Sequence, residues 1–428
     1  MHPLKEILEG RSEKQLGVFS VCTANELVLR SAIRHAKAHQ YVAVIEATAN
    51  QVNQFGGYTG MQPADYAAMV RRIAEEEALD DQQLILGGDH LGPLTWQALP
   101  EAQAMENSRE LVRRYTLAGF TKIHLDTSMR VADDNPNAPL DVHVCARRGA
   151  ELAEVVMAAY EARKAEFPDA MRPVLVIGSE VPIPGGSQEH EDSVQPTDAA
   201  EFRRQYQVFR DTFNAHGLPF DDVVAFVVQP GVEFGDDFAC QYSSDNACTL
   251  TDALRDYAPL VFEGHSTDYQ TPGSLSAMVH DGIRILKVGP ALTFGLRESL
   301  QQLESCEKLL VPDAKDRSGF TDTLLGVMNI SDRYWKKYYF GTPEEIEYKK
   351  LYSYSDRCRY YLPAAEAEAA VAKLLANTKH VPIALISLFF PQQFVKVQNG
   401  EISDDGQSLV LDRVGGWCAA YASACGVK

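Results

Sequence analysis

The sequence has little positive charge, no long apolar run and no basic leader at its N-terminus. Lysines and arginines number 40 against 59 aspartates and glutamates, so the formal net charge is −19. This balance disfavours nucleic acid and anionic membrane surfaces as partners. No apolar stretch approaches the roughly 20 residues that cross a bilayer, and the first residues lack the basic and then apolar layout of a signal peptide. We therefore expect a cytoplasmic protein with no membrane partner.

Closely paired cysteines and nucleotide-binding loops are also missing. The eight cysteines are scattered with no CxxC pair, which favours reduced cysteines in the core over a metal cluster or a redox dithiol. There is no GxxxxGK[ST] loop and no kinase glycine loop, so ATP-dependent phosphoryl transfer is disfavoured. A phosphorylated substrate remains compatible with the sequence, through local amides and a few cations.

Apolar runs alternate with helical patterns along the first three quarters of the chain. Eight such runs predict strands at 16–21, 41–45, 84–86, 121–126, 173–177, 223–228, 259–262 and 283–288. Near-continuous apolar strands are typical of parallel sheets covered by helices. We predict an α/β fold, a (β/α)8 TIM barrel, over residues 1–308. An open doubly wound sheet is the alternative, but it typically carries a glycine fingerprint where Thr23-Ala24-Asn25 follows the first strand.

The alternation ends near Val311, and the remaining residues are mostly helical in pattern. Helices are predicted at 342–348, 364–376 and 409–421. We interpret residues 309–428 as a C-terminal helical extension packed on the barrel. It would cover the rim of the barrel or provide a subunit contact, including one in a homo-oligomer. Its aromatic-rich segment 352–361 is most simply interpreted as packing within the chain.

Polar side chains gather where the predicted strands end. In (β/α)8 barrels this edge carries the active site. The candidates for acid–base catalysis are Asp89, Asp126, Glu180 and Lys287, and the candidates for substrate binding are Asn50, Gln51, Gln229, Ser266 and Asp268. Histidine nitrogens and carboxylates together are the ligand set of a catalytic zinc or similar divalent ion. A carboxylate beside that ion is suited to proton transfer next to a sugar carbonyl or hydroxyl.

Some of these groups have simpler explanations. His124 and Asp126 lie two residues apart, so they point to the same side of their strand, and buried pairing with each other would satisfy both. Lys287 lies inside an apolar strand and is costly to bury without an anion, so it pairs with a carboxylate or meets substrate. The glycine-rich segment 56–60 either wraps an anion or forms a tight loop. The segments 264–267 and 289–291 follow strands seven and eight, where barrels usually bind phosphate.

Long strings of the sequence resemble the GatZ/KbaZ family. They are IEAT (45–48), NQVNQFGGYTGM (50–61), LGGDHLGP (86–93), KIHLD (122–126), VQPGVEF (228–234), HSTDYQT (265–271), LKVGPALTF (286–294) and YSYSDR (352–357). This family is the non-catalytic subunit of class II D-tagatose-1,6-bisphosphate aldolase. The resemblance implies a chaperone-like accessory subunit for a smaller class II aldolase catalytic subunit. It also implies a role in galactitol, N-acetylgalactosamine or tagatose 6-phosphate breakdown.

The barrel is more distantly similar to the class II aldolases themselves. That similarity implies that Asp89 is the proton-transfer acid and that His90 and His265 are metal ligands. The third ligand of those enzymes is a histidine after strand six, and Glu233 stands there instead. Two histidines and a glutamate can still hold zinc or manganese. The glycine-rich phosphate loops are thinner in this sequence, which disfavours a bisphosphate.

Two functions follow from these observations. The first is an accessory subunit whose own site is a relic, and we prefer it because the resemblance is strongest there. The alternative is an enzyme, a metal-dependent ketose or ketose-phosphate 4-epimerase that interconverts fructose and tagatose. Retention of several polar strand ends favours the enzyme. The missing histidine after strand six and the thin phosphate loops favour the accessory subunit.

Overall fold

The computed structural model describes residues 1–178 and 194–427. Eight parallel strands follow one another around a closed barrel, and β8 pairs with β1 to complete it. This closure confirms the (β/α)8 barrel and excludes the open sheet. The strands are β1 (Val18–Cys22), β2 (Ala43–Thr48), β3 (Leu84–Leu91), β4 (Lys122–Leu125), β5 (Val174–Ile177), β6 (Val223–Val228), β7 (Val261–Gly264) and β8 (Ile283–Val288).

Helices surround the barrel and bury an apolar stripe against the strands. Capping side chains mark several of their starts, such as Asn25, whose Oδ1 accepts hydrogen bonds from the Leu27 and Val28 amides. The helices before the extension are α1 (Pro3–Leu8), α2 (Glu26–His39), α3 (Pro63–Glu76), α4 (Glu101–Leu117), α5 (Val142–Glu166), α6 (Ala199–Ala215), α7 (Ser244–Leu254), α8 (Pro272–His280) and α9 (Pro290–Leu310).

The interior of the barrel is divided into an apolar floor and a polar upper layer. Helix α1 closes the N-terminal end, where its buried Leu4, Ile7 and Leu8 join one apolar cluster with residues such as Val18 and Val44. On three strands the same inward face carries a charged group two residues further along, because strand side chains alternate with a period of two; these groups are Glu46, Glu263 and Lys287. The site therefore forms at the C-terminal end of the barrel, as the fold predicts.

Two strands differ from the sequence prediction in ways that matter for the site. β7 begins at Val261, two residues later than predicted, since Pro259 has no N–H to donate to a strand ladder. It therefore extends to Gly264 and brings Glu263 into the barrel wall. β3 runs to Leu91, beyond the predicted end, and its pairing with β4 shifts register between Gly88 and Leu91.

The C-terminal region is helical, as predicted, and one of its helices joins the outer ring. The helices are α10 (Phe320–Ile330), α11 (Pro343–Tyr352), α12 (Ala365–Asn377), α13 (Ile383–Phe389), α14 (Pro391–Gln398) and α15 (Gly406–Ala424). α15 packs against α2, α8 and α9. From it the Tyr421 hydroxyl donates to the Thr267 carbonyl oxygen at 2.6 Å. The predicted domain boundary after residue 308 falls in the last turn of α9 and stays a prediction.

Within the described residues, no helix is both long enough and apolar enough to span a membrane.

Candidate active site

A chain of buried ion pairs crosses the upper layer of the barrel. Lys122 on β4 places its Nζ 2.7 Å from Oε1 of Glu46 on β2 and 2.6 Å from Oε2 of Glu263 on β7. All three side chains are fully buried. Gly87 lies next to Glu46, and a Cβ added there would lie 2.6 Å from the Glu46 Cγ atom, so a larger residue would displace the glutamate. The network therefore depends on the fit between four strands.

Lys287 on β8 continues this network toward the rim. Its ammonium pairs with Glu46 and lies 3.0 Å from Oδ2 of Asp89. Burial lowers the pKa of Lys287 to about 8, which still leaves the ammonium charged at neutral pH. Of the two alternatives that the sequence left open, pairing with carboxylates is the one that the structure shows, and the side chain also lines the cavity described below.

Three histidines meet above the ion pairs. The ring centroids of His90, His124 and His265 lie between 4.9 and 5.2 Å apart. His124 Nδ1 lies 2.8 Å from Asp89 Oδ1, and His90 Nδ1 lies 2.8 Å from Asp126 Oδ2. The expected pairing of His124 with Asp126 does not occur, because the register shift in β3 brings a partner from that strand to each of them.

His90 has an unusual backbone conformation and an unusual charge state. Its φ is 49°, in the left-handed region that non-glycine residues rarely adopt. Burial alone would lower its pKa, but the charge of Asp89 and the hydrogen bond to Asp126 outweigh burial and raise the pKa to about 9. Asp126 also accepts hydrogen bonds from the Ser128 amide and hydroxyl. His90 is thus held as an imidazolium between two carboxylates.

Four of these residues offer atoms that fit a divalent metal ion. One ligand atom from each of them lies within 4.8 Å of the others, and all four side chains are buried; they are Asp89, His124, Glu263 and His265. Nδ1 of His124 lies 2.8 Å from Asp89 Oδ1 and 3.2 Å from the His90 amide nitrogen. Among the described residues, the buried Nε2 of that ring has no hydrogen-bond partner. Nitrogen and carboxylate donors in a group of four suit zinc or manganese.

The charges of this layer also favour a cation. Four carboxylates (Glu46, Asp89, Asp126 and Glu263) face two lysines and the imidazolium of His90, which leaves a net negative charge to balance. Burial would raise the pKa of Glu263, but Lys122 and the His265 hydrogen bond at 2.9 Å outweigh it and lower the pKa to about 2. Unbalanced buried charge is costly. A divalent ion, or protons on the histidines, would neutralise the excess.

The group differs from the ligand set expected from resemblance, which was His90, Glu233 and His265. His265 belongs to both sets. The His90 ring lies 4.9 Å from the His265 ring but makes its own contact with Asp126. Glu233 lies on a short hairpin after β6, formed by Glu233–Phe234 and Ala239–Cys240, and its Oε1 accepts from the Phe234 amide. The predicted set stays a prediction beside the group that the structure brings together.

A cavity of about 80 Å³ opens above the histidines and collects most of the predicted site residues. From the strand ends it is lined by Asp89, His90, His265 and Lys287, and from the following loops by Asn50, Gln51, Ser266 and Asp268. Gln229 does not line it, since its Oε1 accepts from the Gly231 and Val232 amides in the turn after β6. Glu180 lies outside the described residues.

The glycine-rich segment 56–60 forms a tight loop beside this cavity. The Gly56 and Gly57 amides donate to the Asn53 backbone and side-chain oxygens, and the Tyr58 amide donates to the Asn50 carbonyl. An added Cβ on Gly57 would lie 2.3 Å from the Gln51 carbonyl oxygen. These amides are committed within the loop, which favours the tight loop over an anion-binding loop.

The C-terminal extension closes one side of the cavity with Arg359 and Tyr360, at the end of a 3-10 turn. Burial would raise the pKa of Tyr360, but the Arg357 and Arg359 guanidinium groups outweigh it and lower the pKa to about 8. The Tyr360 ring also packs at 4.7 Å against Tyr58 from the glycine-rich loop. The sequence predicted packing within the chain for segment 352–361. The structure shows in addition that Arg359 and Tyr360 of this segment line the cavity.

The comparisons with known proteins agree with this architecture. The family model described as D-tagatose-1,6-bisphosphate aldolase subunit GatZ/KbaZ-like matches residues 4–426. The chain belongs to the GatZ/KbaZ-like family.

Solved structures resemble this chain at very different levels of similarity. This chain is 38% identical to a protein from Sinorhizobium meliloti described as a probable tagatose 6 phosphate kinase; the match covers 96% of this chain and 100% of that one, with a TM-score of 0.87. It is 9% identical to the YdjI aldolase of Escherichia coli, over 86% of this chain and 98% of that one, with a TM-score of 0.40. A fructose-bisphosphate aldolase of Campylobacter jejuni is 12% identical over 92% of both chains, with a TM-score of 0.43.

Sequence reasoning missed two members of the site in this GatZ/KbaZ-like chain, Lys122 and Glu263. A signal for both was present. Lys122 lies two residues before His124, and Glu263 lies two residues before His265, so each pair shares the inward face of its strand. Arg359 and Tyr360 gave no comparable signal, because they reach the site from a separate element.

Proposed function

We propose that this chain is the accessory subunit of a D-tagatose-1,6-bisphosphate aldolase. The observation that carries the proposal is the family match over residues 4–426, together with the description of that family as an aldolase subunit. In this role the chain binds a smaller class II catalytic subunit and maintains its activity and stability in tagatose 6-phosphate breakdown. The bisphosphate chemistry then takes place on the partner.

Co-expression tests this role. A class II tagatose-bisphosphate aldolase catalytic subunit is produced alone and together with this chain, and cleavage of the bisphosphate and co-purification are measured. We expect higher and longer-lasting aldolase activity with the chain present, and a complex that survives gel filtration. Equal activity and stability without the chain would contradict the accessory role.

A second function is favoured by the site itself: a metal-dependent 4-epimerase of a ketose. Asp89, His124, Glu263 and His265 would hold a divalent ion, which when bound polarises the ketose carbonyl and its neighbouring hydroxyl. The residues beside this group would bind the ketose and transfer its protons during retro-aldol cleavage and aldol re-addition. Lys287 and Asn50, which both line the cavity, are placed to bind hydroxyl groups.

The proposed chemistry balances without a further reactant. The phenolate form of Tyr360, which lines the cavity, takes the proton from the C4 hydroxyl. The C3–C4 bond breaks, its electron pair forms an enediolate across C2 and C3, and C4 becomes an aldehyde. Rotation of the aldehyde and re-addition of C3 to its other face invert C4, and the proton returns to O4.

The purified chain alone decides this second function. Bound metal is quantified, and interconversion of fructose and tagatose is followed with added manganese or zinc. We expect turnover in the wild type and a loss of at least about 100-fold in His265→Gln, in the range that removal of a catalytic group costs. His380→Gln is the matched control. The His380 side chain is 73% exposed, pairs with Asp404, and belongs neither to the cavity lining nor to the metal-binding group among the described residues. Metal binding without any turnover would exclude the epimerase.

A further inference from the structure

The amides that barrels offer to phosphate are occupied by a carboxylate in this protein. Asp268, in the loop after β7, is 2% exposed. Its Oδ1 accepts from the Gly289 amide at 3.0 Å and from the Ala291 amide at 2.8 Å, where α9 begins. The loops after strands seven and eight, with the start of the next helix, are the usual phosphate site of this fold. Asp268 thus takes the place that a phosphate oxygen would take.

The neighbouring donors are committed as well. Pro290 has no N–H, and the Leu292 and Thr293 amides both donate to the Gly289 carbonyl oxygen. The Thr267 hydroxyl donates to the Lys287 carbonyl oxygen at 2.6 Å. A phosphate would have to displace Asp268 and would then lie beside a buried negative charge. Burial raises the pKa of Asp268 to about 6, against the effect of the two amides, so the carboxylate is charged at neutral pH.

The cations around the cavity do not offer a second phosphate site. Among the described residues that line it, the lysine and arginine side chains are Lys287 and Arg359. Lys287 pairs with Glu46 and Asp89. Arg359 donates from Nη1 to the Ser355 and Asp356 carbonyl oxygens. What the cavity does offer are carboxylate and amide oxygens, which accept hydrogen bonds from hydroxyl groups.

We propose that Asp268 is a specificity-determining residue: it fills the phosphate position of the barrel and selects an unphosphorylated ketose, whose hydroxyl-bearing end it faces. The selection works in both directions. Asp268 accepts from a sugar hydroxyl, and it excludes a phosphate by occupying the amides and by charge repulsion. The ketose part of this inference rests on the proposed epimerase, whereas the occupied amides do not.

Inorganic phosphate tests the occupied amides without any turnover. Asp268→Ala removes the carboxylate and frees both amides, and Asp268→Asn keeps an oxygen at the same place. Phosphate affinity is measured by calorimetry and by the phosphate-dependent shift in melting temperature, after circular dichroism shows that each variant is folded. We expect Asp268→Ala to bind phosphate at least about tenfold more tightly than the wild type, a difference of about 1.4 kcal/mol. Asp268→Asn should lie between the two, because it keeps an oxygen on the amides but loses the charge. Equal phosphate affinity in the wild type and Asp268→Ala would overturn the inference.

Ketose binding tests the selected ligand separately. Wild-type chain loaded with manganese is titrated with tagatose, tagatose 6-phosphate and tagatose 1,6-bisphosphate. We expect the free sugar to bind most tightly, and the two phosphorylated sugars to gain affinity in Asp268→Ala. Tighter binding of a phosphorylated sugar to the wild type would overturn the selection. If no ketose binds and only Asp268→Ala gains phosphate affinity, the epimerase fails while the role of Asp268 in excluding phosphate holds.

Discussion

At the scale of single residues, the site is a set of buried charges that depend on one another. Lys122 lies between Glu46 and Glu263, and both carboxylates lie within 2.7 Å of its ammonium. Removing one partner of a buried ion pair leaves an uncompensated charge, which costs more than the pair contributes. The polar layer therefore determines stability as well as chemistry.

Lys122→Met is expected to lower the free energy of unfolding by about 3–5 kcal/mol, as for other buried ion pairs that lose one partner. Urea unfolding followed by circular dichroism measures the change. Lys14→Met, at an exposed position, is the control and should change stability little. If Lys122→Met is as stable as the control, the pairs in the barrel are not the source of its stability.

His124 contributes the buried nitrogen that best fits a metal ion. His124→Gln is expected to weaken manganese binding by more than the roughly 10–100-fold that loss of a supporting partner costs. Equilibrium dialysis with metal quantification measures the change, and His380→Gln serves as the control. Unchanged metal affinity in His124→Gln would remove His124 from the ligand group and leave the predicted His90, Glu233 and His265 set as the stronger candidate.

In the metal-free protein, the protonation of His90 makes the folding stability fall as the pH rises. Its pKa is raised in the folded state from 6.5 to about 9, so its stabilising contribution is fully present below pH 6.5 and is lost as the pH rises through 9. The contribution is up to about 3 kcal/mol by linkage. The melting temperature of chelator-treated protein is measured across this range for the wild type and His90→Gln. The difference in melting temperature between the wild type and His90→Gln should shrink toward pH 9. A difference that stays constant with pH would contradict the raised pKa of His90.

At the scale of elements, a buried clamp holds the extension on the barrel. Asp356 accepts from Arg297 Nε at 3.0 Å and from the Thr293 hydroxyl at 2.6 Å, both on α9. Asp356 itself has a φ of 44°, a conformation that aspartate and asparagine tolerate better than most residues. The 3-10 turn that follows it carries Arg359 and Tyr360 to the cavity. The clamp thus connects the extension to the site.

Asp356→Asn preserves the backbone preference and removes the charge. We expect the free energy of unfolding to fall by about 3 kcal/mol or more, since Arg297 is left buried without its anion. We also expect ligands to bind more weakly in the cavity. Asp332→Asn is the control, because Asp332 forms an exposed pair with Lys336 and such surface pairs contribute little to stability. Urea unfolding and ketose titration measure both effects. An Asp356→Asn variant with wild-type stability would show that the clamp does not hold the extension.

At the scale of the whole molecule, the barrel and the extension share one layer of helices. α15 buries Leu409, Val410, Val414 and Cys418, and it packs against α2, α8 and α9. A chain that ends at residue 308 would expose the apolar surface that α15 covers. We expect such a fragment to be insoluble or unfolded in circular dichroism, whereas the full chain is folded. A soluble and cooperative fragment 1–308 would establish the barrel as an independent domain.

The sequence by itself determined the alternation of strands and helices, because eight apolar runs of strand length must bury both faces under helices. It favoured a barrel over an open sheet, and the tertiary structure showed the closure. It also determined that Asp89, His90, His265, Lys287 and Asp268 meet at one edge, since parallel strands all end there. Tertiary structure alone decided which side chains pair. His124 pairs with Asp89, and Asp126 pairs with His90, where the sequence had suggested that His124 and Asp126 pair with each other. It alone decided that Asp268 fills the phosphate position and that Arg359 and Tyr360 reach the cavity. These contacts join residues far apart in the chain, and they depend on strand register and on packing between elements, which no local pattern encodes.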